Sequence, residues 1–276
     1  MTGTNGQETA APRGKNFFSP SSSDSIPPHL APAALRVALT AFPLGFLAGH
    51  VVSIALQVFR PQVIADSISK PWLVSAVAEV EELAPWWRPQ LHLYLLAWST
   101  FHLLEFVITA RYNSTRLMAD SFLISNGLSY HLAHLLGLFE FLVESFLFPT
   151  LKQTSRWTYI GLVLVFIGQL IRSLAMVHAA DNFSHEVAHH KRPDHRLVTD
   201  GIYAYTRHPS YLGFFTWALG TQIGLSNPLS TIIFAVVLWR FFSRRIRGEE
   251  IYLVAFFGRE YEEYRKRVGV YIPFVR

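Results

Sequence analysis

The sequence predicts an all-α integral membrane protein with six transmembrane helices. Apolar residues make up 51% of the 276 residues and charged residues only 16%, whereas soluble domains contain about a quarter charged residues. The mean hydropathy is +0.26, and the apolar residues are grouped in long runs; crossing a bilayer takes about 20 of them. These properties exclude a water-soluble globule, a disordered chain and a fibrous protein.

The chain is predicted to divide into a tail and one membrane domain. Residues 1–32 are rich in Ser, Pro, Gly and Thr, which predicts a disordered tail. Residues 33–276 form the membrane domain, and within it the tryptophans and prolines of residues 60–89 favour a position at the membrane interface. The predicted spans are Ala33–Phe59, Gln90–Ala110, Phe122–Phe148, Trp157–Ala179, Tyr211–Leu225 and Leu229–Phe242.

The last two predicted spans are short. Each has about 15 residues, or roughly 22 Å of helix, which is less than the ~30 Å hydrocarbon core. Ser226-Asn227-Pro228 separates them, so they are predicted to form a tight C-terminal helical hairpin that is tilted or lies in thinned bilayer. From Arg244 onward the chain is basic and aromatic, which predicts a cytosolic amphipathic helix ending near Gly269.

The basic residues predict the orientation in the membrane. The side of the N-terminus carries 17 of the 24 Lys and Arg residues and the opposite side five, the other two being inside spans. The positive-inside rule therefore places both termini in the cytosol. Because the basic residues flank apolar runs, they indicate membrane lipids as partners and no nucleic acid.

Four of the charged residues inside the predicted spans leave two interpretations open. Glu105, Glu140, Glu144 and Arg172 are each costly at bilayer depth. Either Arg172 pairs with one of the glutamates and holds the helices together, or these groups line a ligand cavity.

The polar stretch 181–209 is the first candidate for chemistry. It contains five histidines but no spacing typical of a metal site, so no metal is expected. The chain has no cysteine, which excludes thiolate nucleophiles, disulfides and Cys-ligated metals. The loop either binds a ligand or is simply solvated.

Arg245 and Glu249 form the second candidate. In a helix they are four residues apart and share a face. They represent either a surface salt bridge on a basic membrane flank or the wall of a cytosolic cavity.

Several motifs resemble the isoprenylcysteine carboxyl methyltransferase family, with similarity over residues 98–276. The most specific are His195-x-Leu197-Val198-Thr199-x-Gly201-x-Tyr203 and Arg207-His208-Pro209-Ser210-Tyr211-x-Gly213. Further matches are Phe101-His102-x-x-Glu105, Trp239-Arg240-Phe241-Phe242, Glu249-Glu250, Phe257-Gly258-x-x-Tyr261-x-x-Tyr264 and Pro273-Phe274.

The resemblance implies an endoplasmic reticulum enzyme with its cofactor pocket mainly in residues 181–276. Such an enzyme transfers a methyl group from S-adenosylmethionine to the C-terminal carboxylate of a farnesyl- or geranylgeranyl-cysteine, exposed in proteins after CaaX processing. By the resemblance, Arg245 meets the substrate carboxylate and is the catalytic residue. The implied cofactor-binding residues are Ala188, His195, Arg196, Leu197, Val198, Tyr203, His208 and Glu249.

Three other functions remain alternatives. A phospholipid N-methyltransferase would use the same cofactor with an amine acceptor, for which a carboxylate or aromatic cage suits better than Arg245. A sterol reductase would need a dinucleotide fingerprint, which the sequence lacks. A non-catalytic lipid-binding bundle would bind no methyl donor.

Overall fold

The computed structural model describes residues 31–58 and 88–275. The predicted disordered tail and the predicted interfacial segment lie almost entirely outside these ranges. The described helices are α1 (Ala31–Val58), α2 (Pro89–Tyr112), α3 (Leu128–Leu147), α4 (Arg156–Ala179), α5 (Pro209–Gly224), α6 (Pro228–Phe257) and α7 (Arg259–Arg267). No strand is present in the described part of the chain, so the predicted all-α class is confirmed there.

Two predicted boundaries are wrong. α3 begins at Leu128 rather than Phe122, because Ala119–Phe122 forms a 3-10 turn and Leu123 adopts a left-handed conformation with φ of 57°. α6 runs unbroken for 30 residues to Phe257, so the predicted short span and the first part of the amphipathic helix are one helix. Nothing between Pro228 and Phe257 breaks it, since Gly248 is tolerated in a helix interior. Gly258, with φ of 55°, ends it.

Length and composition identify two candidate membrane spans among the described helices. Pro89–Tyr112 and Arg156–Asn182 have mean hydropathies of 1.4 and 2.1 and are long enough to cross a bilayer. α3 carries histidines and glutamates, and α5 has only 16 residues. The predicted total of six spans therefore stays a prediction.

The outer surface of the helices is apolar. Large side chains such as Phe139, Phe166 and Ile232 are between 64% and 70% exposed. A water-soluble monomer rarely exposes so continuous an apolar surface. Contact with lipid explains it.

α4 and α5 pack backbone to backbone through glycines. A Cβ on Gly168 would lie 2.4 Å from the main-chain nitrogen of Trp217, and one on Gly213 would lie 2.7 Å from that of Arg172. Any side chain at these positions would force the helices apart. Small residues that allow close approach are a common way to join helices within a membrane, where lipid removes the hydrophobic driving force. This contact fixes Arg172 beside the start of α5.

The ion-pair interpretation of Arg172 is confirmed, with Glu105 as its partner. Nε of Arg172 donates to Oε1 of Glu105 and Nη2 donates to Oε2 at 3.0 Å. Nη1 donates to the Ser210 hydroxyl at 2.9 Å, which ties α2, α4 and the start of α5 together.

The other two glutamates have different roles. Glu140 accepts hydrogen bonds from the main-chain N–H groups of Leu229 and Ser230 at 2.7 and 2.6 Å, capping the start of α6. Glu144 pairs with the buried Nζ of Lys152 at 2.7 Å. The first contact holds α3 against the start of α6. The second joins the α3–α4 loop to α3, and Lys152 Nζ also donates to the carbonyls of Leu225 and Ser226 at the α5–α6 turn.

Candidate active site

The loop between α4 and α5 is held in place by contacts at both ends. Asn113 Nδ2 donates to the carbonyl of Phe183 at 2.9 Å, and the Asn182 side chain accepts from the main-chain N–H of Arg196 at 2.8 Å. Further along, the N–H of Ile202 donates to His178 Nδ1 at 3.0 Å. Gly201 has φ of +57°, and a Cβ there would lie 2.6 Å from the same His178 nitrogen, so only glycine fits.

The C-terminal segment folds back onto this loop. The N–H of Arg207 donates to the carbonyl of Gly269 at 3.0 Å, and the Thr206 hydroxyl donates to the carbonyl of Val270 at 3.0 Å. The Tyr264 hydroxyl donates to the carbonyl of Tyr203 at 2.6 Å. The loop, α6 and α7 thus close around a shared space.

Arg207 joins the loop to α6 and to the C-terminal segment. Its guanidinium lies 2.8 Å from Glu250 Oε1 and also donates to the carbonyls of Arg265 and Val268. Burial by itself would raise the pKa of Glu250, but the hydrogen bonds from His208 and Arg207 hold it below its ordinary value. Glu250 is therefore ionised and paired, and it holds α6 against the loop.

A pocket opens between the loop, the start of α5, and helices α6 and α7. It contains about 720 Å³ of space not filled by protein atoms, including the open solvent at its mouth. It is lined by Ala179, Asn182, Phe183, Ser184, His195, Arg196, Leu197, Val198, Tyr203, Arg207, His208, Pro209, Ser210, Tyr211, Glu249, Leu253, Phe257, Tyr261 and Tyr264.

Most of the predicted cofactor-binding residues meet at this pocket. Seven of the eight line it: His195, Arg196, Leu197, Val198, Tyr203, His208 and Glu249. Ala188 does not. It lies in the loop between Val187 and His189, which line a second opening instead.

The pocket contains polar atoms that a ligand can satisfy. His195 Nδ1 is buried and has no hydrogen-bond partner within the described residues. Burial, assisted by Arg192 and Lys191, lowers the pKa of His195, so its ring is neutral at neutral pH and can donate or accept. Buried polar atoms without partners are costly, so the lining fits a ligand that carries hydrogen-bonding groups.

Arg245 lies in the second opening, beside the pocket rather than in it. This recess is lined by His185, Glu186, Val187, His189, Arg244, Arg245, Gly248, Glu249 and Tyr252. Glu249 lines both spaces and forms part of the wall between them. On its other side, Arg245 borders a shallow groove on α6 whose surface is mostly apolar and which is lined by Val237, Arg240, Phe241, Arg244 and Arg245.

Within the described residues, two hydrogen bonds hold the Arg245 guanidinium. Nε donates to the Tyr211 hydroxyl at 2.9 Å and Nη2 donates to the carbonyl of His185. Nη1 has no partner within the described residues. Burial is the main cause that lowers the pKa of His185 to about 4, so the His185 ring adds no charge beside Arg245 at neutral pH.

The sequence did not indicate several of the lining residues. Tyr211 was visible as part of a motif, but its position between Arg245 and Glu249 was not. Leu253 enters through long-range packing and carries no local signal. In the described ranges 31–58 and 88–275, no group of three or more His, Asp or Glu side chains is placed to hold a metal ion.

Comparison with known proteins identifies the family. Residues 160–255 match the model of the isoprenylcysteine carboxyl methyltransferase family. The chain is 53% identical over 190 residues to a protein-S-isoprenylcysteine O-methyltransferase of Saccharomyces cerevisiae, covering 67% of this chain and 80% of the relative. It is 44% identical over 183 residues to the Homo sapiens protein of the same name, and the match covers 66% of this chain and 64% of that protein.

A solved structure agrees with the sequence matches. The structure of a eukaryotic intramembrane Ras methyltransferase, an isoprenylcysteine carboxyl methyltransferase, superimposes with a TM-score of 0.70 at 28% identity. The match covers 88% of this chain and 98% of that one. The motifs, the membrane fold and these relatives lead to one conclusion: the chain belongs to the isoprenylcysteine carboxyl methyltransferase family and is a membrane-embedded methyltransferase.

Proposed function

We propose that this enzyme methylates the C-terminal carboxylate of a prenylated cysteine, using S-adenosylmethionine as the methyl donor. The observation that carries the proposal is the arrangement of two adjoining spaces. A polar pocket and the Arg245 recess share Glu249, and the recess continues into an apolar groove. This arrangement suits a reaction between a polar donor and an anionic acceptor that carries a lipid.

The hydrogen-bonding and charged groups that line the polar pocket suit S-adenosylmethionine. The cofactor would be held by His195, Tyr203, His208 and Glu249 and by the main chain of Leu197, whose N–H has no hydrogen-bond partner within the described residues. When bound, it supplies an electrophilic methyl group. Glu249 adds a negative charge that attracts the cationic groups of such a ligand.

Arg245 is suited to bind the acceptor carboxylate. An α-carboxyl group titrates near about 3.5, so it is already ionised at cytosolic pH and needs no general base. A guanidinium can form a bidentate contact with a carboxylate and so orient one of its oxygens. A lysine ammonium group cannot form this bidentate contact. Holding two reactants in line is worth up to ~7–11 kcal/mol of the barrier, and this is the main contribution that we assign to the chain.

The apolar groove suits the prenyl chain. Val237 and Phe241 are 55% and 50% exposed and lie one turn apart on α6, within reach of Arg245. A chain along this groove would remain in the bilayer while its terminal carboxylate meets the guanidinium. The predicted protein substrates are therefore farnesylated or geranylgeranylated proteins after CaaX processing.

An acceptor assay tests the proposal. Detergent-solubilised protein is incubated with labelled S-adenosylmethionine and either N-acetyl-farnesylcysteine or phosphatidylethanolamine. We expect label in the ester of the first acceptor and none in the second. Label in phosphatidylethanolamine alone would favour the phospholipid N-methyltransferase instead.

Glu249→Gln tests the assigned cofactor contact. We expect the dissociation constant of S-adenosylmethionine to rise about tenfold, because a neutral amide loses the attraction for the cationic ligand. Calorimetric titration measures it, and Glu260→Gln, at an exposed position of α7, serves as the control. Unchanged affinity in Glu249→Gln would reject this role.

We also propose that the enzyme resides in the endoplasmic reticulum membrane with both termini in the cytosol. The asymmetry of Lys and Arg supports this orientation. Epitope tags at each end should be reached by antibody after selective permeabilisation of the plasma membrane. A tag that needs permeabilisation of the reticulum itself would contradict the orientation.

A further inference from the structure

Tyr211 occupies an unusual position between the two charged residues of the site. Its hydroxyl accepts a hydrogen bond from Arg245 Nε at 2.9 Å and donates one to Glu249 Oε2 at 2.7 Å. Arg245 and Glu249 are four residues apart on α6, a spacing at which opposite charges commonly pair directly. None of the ion pairs within the described residues joins them, and the Tyr211 hydroxyl bridges them instead.

The Tyr211 ring itself is firmly held. It stacks on the His208 ring with centroids 5.5 Å apart and an interplanar angle of 6°, and on the Phe242 ring at 5.2 Å. The Arg245 guanidinium carbon lies 5.4 Å from its centroid. The hydroxyl is therefore a fixed point, whereas the side chains of Arg245 and Glu249 are long and flexible.

A direct ion pair would compete with both assigned roles. A carboxylate of Glu249 bound to the guanidinium would occupy the donors that an acceptor carboxylate needs. It would also neutralise the charge that attracts the cationic cofactor. With Tyr211 in place, one nitrogen of Arg245, Nη1, stays without a partner within the described residues.

We propose that Tyr211 is a positioning residue that keeps Arg245 and Glu249 apart and aims the guanidinium at the acceptor carboxylate. This inference rests on the proposed function, since it requires that Arg245 binds a carboxylate. Tyr211 acts through Arg245 and takes no part in bond making. Without its hydroxyl, Arg245 turns toward Glu249 and its preference for an anionic acceptor falls.

The test compares a charged and a neutral ligand in the absence of methyl donor. Equilibrium binding of N-acetyl-farnesylcysteine and of its C-terminal carboxamide is measured on the full-length, detergent-solubilised protein. The wild type should bind the acid at least about tenfold more tightly than the amide, as expected for a guanidinium–carboxylate contact. Tyr211→Phe should reduce this ratio to about threefold or less while leaving amide affinity nearly unchanged.

Two further variants make the test specific. Tyr205→Phe removes the hydroxyl of an exposed tyrosine in the loop that precedes α5 and should keep the wild-type ratio. In Tyr211→Phe combined with Glu249→Gln, the competing carboxylate is gone, so much of the preference for the acid should return. Such recovery in a double variant measures coupling between the two side chains.

The outcomes separate this inference from the proposed function. An unchanged ratio in Tyr211→Phe, or a parallel loss of affinity for acid and amide, would overturn the positioning role. Failure of the double variant to recover the ratio would overturn it as well. No preference for the acid in the wild type would instead reject carboxylate recognition, and with it the proposed function.

Discussion

Replacing Arg245 with alanine is expected to lower kcat/KM for N-acetyl-farnesylcysteine by at least about 100-fold, with the dissociation constant of S-adenosylmethionine changed by less than about threefold. Truncating one partner of a desolvated charge pair costs ~2–5 kcal/mol. Arg245 lies outside the residues that line the polar pocket, so cofactor binding should survive its loss. Steady-state kinetics and a binding titration measure the two quantities separately.

Two matched variants make the Arg245 result interpretable. Arg245→Lys keeps the positive charge but loses the planar guanidinium, so it should be more active than Arg245→Ala and less active than the wild type. Arg247→Ala removes an equal charge two residues away, where the side chain is exposed and its Nε donates only to the carbonyl of Ser243. Arg247→Ala should be fully active. Intact turnover with weak cofactor binding in Arg245→Ala would reassign Arg245 to the cofactor.

Replacing Glu105 with leucine is expected to destabilise the fold by about 3–5 kcal/mol, the usual cost of leaving a buried charge without its partner. Glu105 is fully buried and its carboxylate accepts two hydrogen bonds from Arg172. The melting temperature in detergent should fall by about 10 °C or more.

The double variant Glu105→Leu with Arg172→Met distinguishes lost pairing from lost packing. Replacing both members of a buried ion pair by apolar residues of similar volume is often neutral or stabilising. We therefore expect the double variant to regain most of the melting temperature. A double variant as unstable as the single one would show that the ion pair is not what Glu105 contributes.

Much of the fold was predictable because its signals are local. Apolar runs bounded by Pro, Ser or charged residues located α2, α4 and α5 to within a few residues, since helix ends depend on nearby breakers and caps. The boundary within α6 was wrong because hydropathy changes at Phe242 while the backbone stays helical. A change from lipid-facing to water-facing side chains does not require a helix to end.

The candidate site was only partly predictable for a different reason. The resemblance to a family indicated the cofactor-binding candidates, and those from His195 to His208 line one pocket because they lie close together between α4 and α5. Contacts made by distant parts of the chain carry no such signal. The bridge by Tyr211 between Arg245 and Glu249, and the pairing of Arg172 with Glu105 rather than Glu140 or Glu144, depend on how the helices pack.

The most direct test of the account is the structure of the enzyme in complex with S-adenosylhomocysteine and N-acetyl-farnesylcysteine in a lipid nanodisc. We expect the acceptor carboxylate to lie within hydrogen-bond distance of the Arg245 guanidinium, with the prenyl chain along Val237 and Phe241. A complex in which that guanidinium faces bulk water and the carboxylate binds elsewhere would contradict it.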